Sequence, residues 1–202
     1  MKIDTSRRLN RADLTQNIQI AHIHNLYILK RKCIKIIQFI ELYTKYRLFD
    51  MYQSHGVYED LEWESMIINY LELVHLCQEK QRKIYKGVCK FKGANYDEER
   101  KSIIFPVSEE HAIIIALRNS IHHSTFTVVR ISQASDENNK SIPSPNINWP
   151  QIELNEKQQI FVRENLFLGG DKLSNLFKKH CDIFMKTSRE LGDLLLKKLD
   201  DN

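Results

Sequence analysis

From Leu14 to Phe49 the chain contains neither glycine nor proline. Apolar residues recur through this stretch at helical spacing: Ile18, Ile23, Leu26, Tyr27, Cys33, Ile34, Ile37, Ile40, Leu42 and Tyr46. Lys30, Arg31, Lys32 and Lys35 fall largely between them. An unbroken segment with this period buries its stripe as a helix, so one long helix over about 14–49, with room for a kink, is expected. Breakers are scarce throughout, with 6 Gly and 4 Pro in 202 residues. That length suffices for one domain with a substantial buried core.

Residues 52–57, with Ser54, His55 and Gly56, read as a turn. A second helix is expected over 59–85, because Glu59, Asp60 and Glu62 suit a helix N-terminus and Lys80, Arg82, Lys83 and Lys86 suit its end. Its stripe runs through Leu61, Met66, Ile67, Tyr70, Leu71, Val74 and Leu76. Gly87 and Gly93 bracket a mixed segment up to Pro106. A third helix follows, with Ser108 as N-cap and Glu109 and Glu110 in its first turn. Ala112–Leu117 is apolar all round, so this helix should be central and buried. Its β-branched residues at 113–115 would also suit a strand, but the cap and the length favour a helix.

Residues 125–131 alternate in part and read as a strand, 132–150 as an exposed loop rich in Ser, Asn, Asp and Pro, and Ile152–Leu154 as a second strand. Asn155 and Gln158 open another helix as a capping box, ended by Gly169-Gly170. Asp171 caps a final helix to about Lys198, with Leu173, Leu176, Phe177, Cys181, Phe184, Met185, Leu191 and Leu195 on one stripe. No internal repeat is visible. The expected fold is an all-α bundle of long antiparallel helices in a single domain over 1–202. A strand and loop insertion occupies 124–155, and C-terminal helices occupy 156–199.

The net charge of +4 is unevenly spread. Residues 1–50 hold 10 Lys/Arg against 4 Asp/Glu, whereas 51–100 hold 7 against 9. A basic N-terminal third suits a polyanion such as RNA, since neutralised phosphates release counterions; it equally suits the solvated face of a long helix. Cys33, Cys77, Cys89 and Cys181 are far apart with no CxxC pair, which points to free thiols in a reducing cytoplasm and away from a zinc site. No secretory signal and no apolar run of membrane-spanning length are read in the sequence, so no membrane partner is expected. No P-loop, GxGxxG or GxSxG pattern is present, which argues against nucleotide hydrolysis and against an α/β-hydrolase. His22 and His24 lie about 200° apart on a helix and do not chelate one metal from it. His180-Cys181-Asp182 lacks a second ligand cluster, so neither metal nor cofactor is expected.

The third helix ends in polar residues that a buried helix normally avoids. Arg118, Asn119, His122 and His123 follow the apolar run directly and share one broad face, and His111 returns to nearly the azimuth of Arg118 two turns earlier. Burying such groups without partners costs several kcal/mol, so they must be exposed, paired or used in a cleft. These residue types suit metal-free phosphodiester cleavage. Imidazole moves protons at the ribose 2′-hydroxyl or the leaving oxygen, a guanidinium fork holds the phosphate, and an amide orients or donates.

Arg118-Asn119-Ser120-Ile121-His122-His123 resembles the R-[N/H/D]-x-x-x-H form of the Rx4–6H motif of HEPN domains (higher eukaryotes and prokaryotes nucleotide-binding). The resemblance covers roughly residues 14–124. It implies an all-α bundle of four or five helices with the motif near the end of a late helix. It also implies a metal-independent RNase site that two protomers usually complete across a dimer interface. Matched by position, Arg118 is the family's arginine, Asn119 its polar neighbour and His123 its catalytic histidine. His122 falls on a variable position; with His111, Lys45 and Arg47 it is a weaker candidate, as an RNA contact. Tyr27, Tyr43, Tyr46 and Phe49 interleave with Lys45 and Arg47, a pattern that can stack bases beside phosphate contacts but is more often core. HepT-like toxins of the family often carry a tyrosine two residues after the histidine. Thr125 stands there, so a nucleotidyltransferase antitoxin of that type is not expected. Length and the β segment look more like abortive-infection, AbiV-like members. The expected function is thus an endoribonuclease toxin or antiviral effector acting on RNA as a homodimer, restrained by an inhibitor or antitoxin or triggered by a phage-derived activator. The alternatives are a non-catalytic helical module that binds RNA or protein, or a purely structural role in which Arg118 pairs with a core carboxylate and the histidines face solvent.

Overall fold

The structure, a computed structural model, describes residues 10–21, 26–45, 49–99, 108–123, 129–135, 141–165 and 170–201. The fold is all-α in class with one β hairpin. Its helices are α1 (Arg11–Ile20), α2 (Leu26–Lys45), α3 (Phe49–Lys92), the short α4 (Tyr96–Glu99), α5 (Glu109–His123), α6 (Glu156–Asn165) and α7 (Gly170–Asp200). Among the described residues, no helix is long and apolar enough to cross a membrane.

The segment expected as one helix over 14–49 is two described helices, with 22–25, and so His22 and His24, outside the described residues. Their apolar residues serve different cores. Leu14 and Ile18 of α1 pack with Tyr85, Val88 and Cys89 of α3 and with Leu191, Leu195 and Leu199 of α7. Leu26, Leu29, Cys33, Ile36, Phe39 and Ile40 of α2 join the larger core, with Trp63 to Cys77 of α3, the apolar face of α5 and Leu173 to Phe184 of α7.

The turn expected at 52–57 is absent, and α3 runs straight through Ser54, His55 and Gly56. A single interior glycine costs a helix only about 1 kcal/mol relative to alanine, too little to break it by itself. Gly87 is likewise inside α3 and buried. The helix stops at Gly93, whose φ is 67°. Ala94 donates to the carbonyl of Cys89 at 2.9 Å and Gly93 to that of Lys90 at 3.3 Å, a Schellman ending that needs a left-handed residue at that point.

Pairings along α3 fix the directions of its neighbours. Phe39 stacks on Trp63 at a centroid separation of 5.5 Å, whereas Ile28 and Lys32 lie beside the later part of α3, so α2 runs opposite to α3. His111 meets Gln78 and Arg118 meets Glu72, so α5 also runs opposite to α3. The two cores occur in the same sequence order on α3 and α7, which therefore run the same way. This brings the C-terminal end of α5 to the middle of α3.

The β segment differs from expectation. Strands β1 (Val129–Ser135) and β2 (Ser141–Ile147) form an antiparallel hairpin in which Val129 pairs with Ile147 and Ser135 with Ser141. The second strand thus lies inside the stretch read as loop, and Ile152–Leu154 is not a strand. Pro143 and Pro145 masked it. A two-stranded sheet has only edge strands, where a missing N–H is tolerated. Trp63 Nε1 donates to the carbonyl of Asn146 at 3.3 Å, and Val129, Ile131, Ile147 and Trp149 carry the hairpin into the main core. Beyond it, Asn155 and Gln158 exchange hydrogen bonds of 2.9 Å each way, the capping box that opens α6.

Candidate active site

Helix α5 begins as its sequence dictates, with Ser108 Oγ accepting from the backbone N–H of His111 at 3.1 Å. The β-branched run at 113–115 is helical, and Ile113, Ile114, Leu117 and Ser120 form the buried face. Arg118 stands one turn after Ile114 and just before Ile121, at the margin of that face, and its side chain is only 22% exposed. From Arg118, His122 lies about 40° around the helix, Asn119 about 100° and His123 about 140°.

That geometry splits the polar group in two. Arg118 Nε donates to Glu72 Oε1 at 3.1 Å, and His122 Nε2 lies 2.6 Å from the same oxygen. Glu72 and His122 are 43% and 45% exposed, so this is a surface cluster, not a core ion pair. The hydrogen bond with His122 is the largest influence on the Glu72 carboxyl. Together with Arg118 it holds the carboxyl below its ordinary value, against the opposing effect of partial burial. Asn119 and His123 are exposed. His122, read from the sequence as occupying a variable position, is therefore the histidine coupled to Arg118. Of the structural alternative, the pairing of Arg118 with a carboxylate and the exposure of both histidines are found; the carboxylate, however, is half exposed rather than in the core, and His122 is engaged with it.

Glu72 was not legible as a site residue. It stands 46 positions before Arg118, between Leu71 and Leu73, and no local motif marks it. Glu72 also borders an open groove of about 520 Å³ between α2 and α3, lined from α2 by Ile28 and Lys32 and from α3 by residues between Asn69 and Lys83.

His111 does not join the cluster. Its Nε2 meets the Gln78 side-chain amide at 2.8 Å and its Nδ1 meets His180 Nε2 at 3.0 Å. His180 Nδ1 in turn meets the Tyr70 hydroxyl at 2.6 Å. The line Gln78–His111–His180–Tyr70 joins α3, α5 and α7 through the interior, and His180 is fully buried. Burial lowers His111, and burial followed by the charge of His111 lowers His180 to about 3. The two rings stack at 5.2 Å between centroids. His180 beside Cys181 and Asp182 thus belongs to a structural relay, and among the described residues no group of three or more His, Cys, Asp or Glu is arranged to hold a metal.

Lys45 is the last residue of α2; Arg47 and Thr125 lie outside the described residues. Tyr27, grouped in the sequence with aromatics that are more often core, is 61% exposed, with the Arg31 guanidinium 5.9 Å from its ring centroid. No family model matches this chain, and no match is found among the curated proteins or the solved structures.

Proposed function

We propose that the chain is a metal-independent endoribonuclease of the HEPN type, acting as a toxin or antiviral effector through Arg118, Asn119 and His123. The observation that carries the reading is the surface Arg118–Glu72–His122 cluster at the end of a capped core helix, with exposed Asn119 and His123 farther around the same turns. Glu72 engages only the Nε of Arg118, which leaves the two terminal nitrogens for a bidentate phosphate contact. Glu72 acts as a positioning residue that holds the guanidinium and the His122 ring.

His123 takes the proton of a ribose 2′-hydroxyl, whose oxygen attacks the adjacent phosphorus. The bond from phosphorus to the 5′ oxygen breaks, and that oxygen leaves with a proton from a second imidazole, supplied by the facing protomer of a homodimer. The products are a 2′,3′-cyclic phosphate and a 5′-hydroxyl. The alternative, a non-catalytic module binding RNA or protein, is favoured by one observation: Arg118 already has a carboxylate partner within its own chain.

Purified protein incubated with RNA in EDTA distinguishes them. The expected result is cleavage with cyclic-phosphate ends, reduced about 100-fold or more in His123→Ala and Arg118→Ala, the scale of acid–base catalysis. Full cleavage by either variant, or none by the wild type, overturns the reading. Growth arrest on expression, present for wild type and lost for His123→Ala, tests the toxin role.

A further inference from the structure

The groove beside Glu72 follows one stripe of α3. Asn69, Glu72, Leu73, Leu76, Glu79 and Lys83 recur at three- and four-residue steps, with His75 at its margin, and α2 supplies the opposite wall through Ile28 and Lys32. From Asn69 to Lys83 the helix rises about 21 Å. Its two carboxylates already pair with cations outside the lining: Glu72 with Arg118, and Glu79 with Arg82 at 2.5 Å. Lys32 and Lys83 make no ion pair among the described residues, so the charges left unpaired along the groove are positive, one from each wall. Lys35, exposed and one turn on from Lys32, extends that charge along α2. Between the cations, Leu73 and the 47%-exposed Leu76 offer an apolar floor. On the adjoining stripe of α2, exposed Tyr27 carries Arg31 near its ring, an aromatic beside a cation, on which a nucleobase can stack.

We propose that this groove holds a single RNA strand running from the Arg118–Glu72–His122 cluster along α3, with phosphates on Lys32 and Lys83, bases against Leu73 and Leu76, and His75 at the phosphate nearest Glu72. The proposal rests on the RNA-cleaving reading of that cluster and names where its substrate lies. The length suits about four nucleotides, the lower end of single-strand site sizes.

The test is binding of a fluorescein-labelled 12-nucleotide RNA with 2′-O-methyl riboses, which no 2′-hydroxyl mechanism cleaves, measured by anisotropy across a salt series. The full chain should bind it. Lys32→Glu combined with Lys83→Glu should weaken binding at least tenfold and reduce the salt slope by about 1.4, two single-strand phosphate contacts' worth. Lys32→Arg with Lys83→Arg should retain both, which separates lost charge from lost folding. Unchanged affinity and slope in the Glu pair overturns the proposal, as does a wild type that binds no RNA. A protein held by wild type and lost from the Glu pair, with RNA affinity unchanged, overturns it in favour of a protein-docking groove. Because binding is read on an RNA that cannot be cut, a chain that binds it through Lys32 and Lys83 yet cleaves no unmodified RNA refutes catalysis and leaves the track. Cleavage that needs His123 beside unaffected Glu-pair binding refutes the track alone.

Discussion

His122 on α5 places its Nε2 2.6 Å from Oε1 of Glu72, fifty residues earlier on α3. Since Arg118 reaches the same oxygen, a single carboxylate orients both a cation and an imidazole at a surface. A partly exposed ion pair of this kind adds only about 0–1 kcal/mol to stability, so its main consequence is orientation.

Glu72→Gln keeps the side chain's volume and removes its charge. RNA cleavage should fall tenfold or more, while the melting temperature drops by no more than about 4 °C, the shift expected for under 1 kcal/mol in a chain of this size. Cleavage assays and thermal melts on the same preparations check this. A melting shift beyond about 10 °C would mark Glu72 as structural and count against an orienting role.

The buried relay makes stability depend on pH. His180 sits at about 3 and His111 below its ordinary 6.5 because burial disfavours the charged ring, so both are neutral when folded. Unfolding returns them to about 6.5. Their contribution is therefore complete above about pH 6.5 and is lost as pH falls from there toward 3. At pH 5, His180 alone should cost about 2 kcal/mol relative to pH 7.5. Urea titrations at both values measure it, and His180→Gln should lose less stability between them than wild type. Equal losses in the two proteins would show that His180 titrates normally in the fold.

How much of this the sequence revealed depended on range. Local signals read well: Ser108 caps α5, Asn155 and Gln158 cap α6, and the α7 stripe from Leu173 to Leu195 is buried apart from the half-buried Met185. Local signals also misled: one glycine, Gly56, did not break α3, and Pro143 and Pro145 sit inside β2, where an edge strand tolerates them. The candidate site was half legible. Arg118, Asn119 and the two histidines are contiguous, so their helical phase follows from spacing. Glu72 became their partner only because α5 crosses α3 there, and Gln78 claimed His111 for the same reason. No periodicity encodes such a crossing.

All four cysteines are buried. Cys33 donates to the carbonyl of Phe177 at 3.4 Å, and contact with Cys181, together with burial, pushes its thiol far up; burial raises Cys77 to about 11. Thiolate is the reactive form, so both resist attack at neutral pH. The native protein at pH 8 should release almost no thionitrobenzoate from a disulfide reagent over minutes, and four equivalents in guanidinium. One fast equivalent in the native state would reveal a thiol that opens to solvent.

Gly93 ends α3 with φ at 67°, and a Cβ placed there meets nothing within 4 Å. Steric crowding with neighbours is thus excluded as a cost, and only the left-handed backbone penalty of an L residue remains, about 1–2 kcal/mol. Gly93→Ala should lower unfolding free energy by about 1 kcal/mol, and Gly93→Asn by less, because asparagine tolerates that conformation better. The site at α5 lies far along α3 from this ending, so RNA binding and cleavage by Gly93→Ala should match wild type under native conditions. Urea titration of the three proteins checks the ranking. An alanine variant as stable as wild type would mean that the Schellman ending, with Ala94 bonded to Cys89, is not what stops α3.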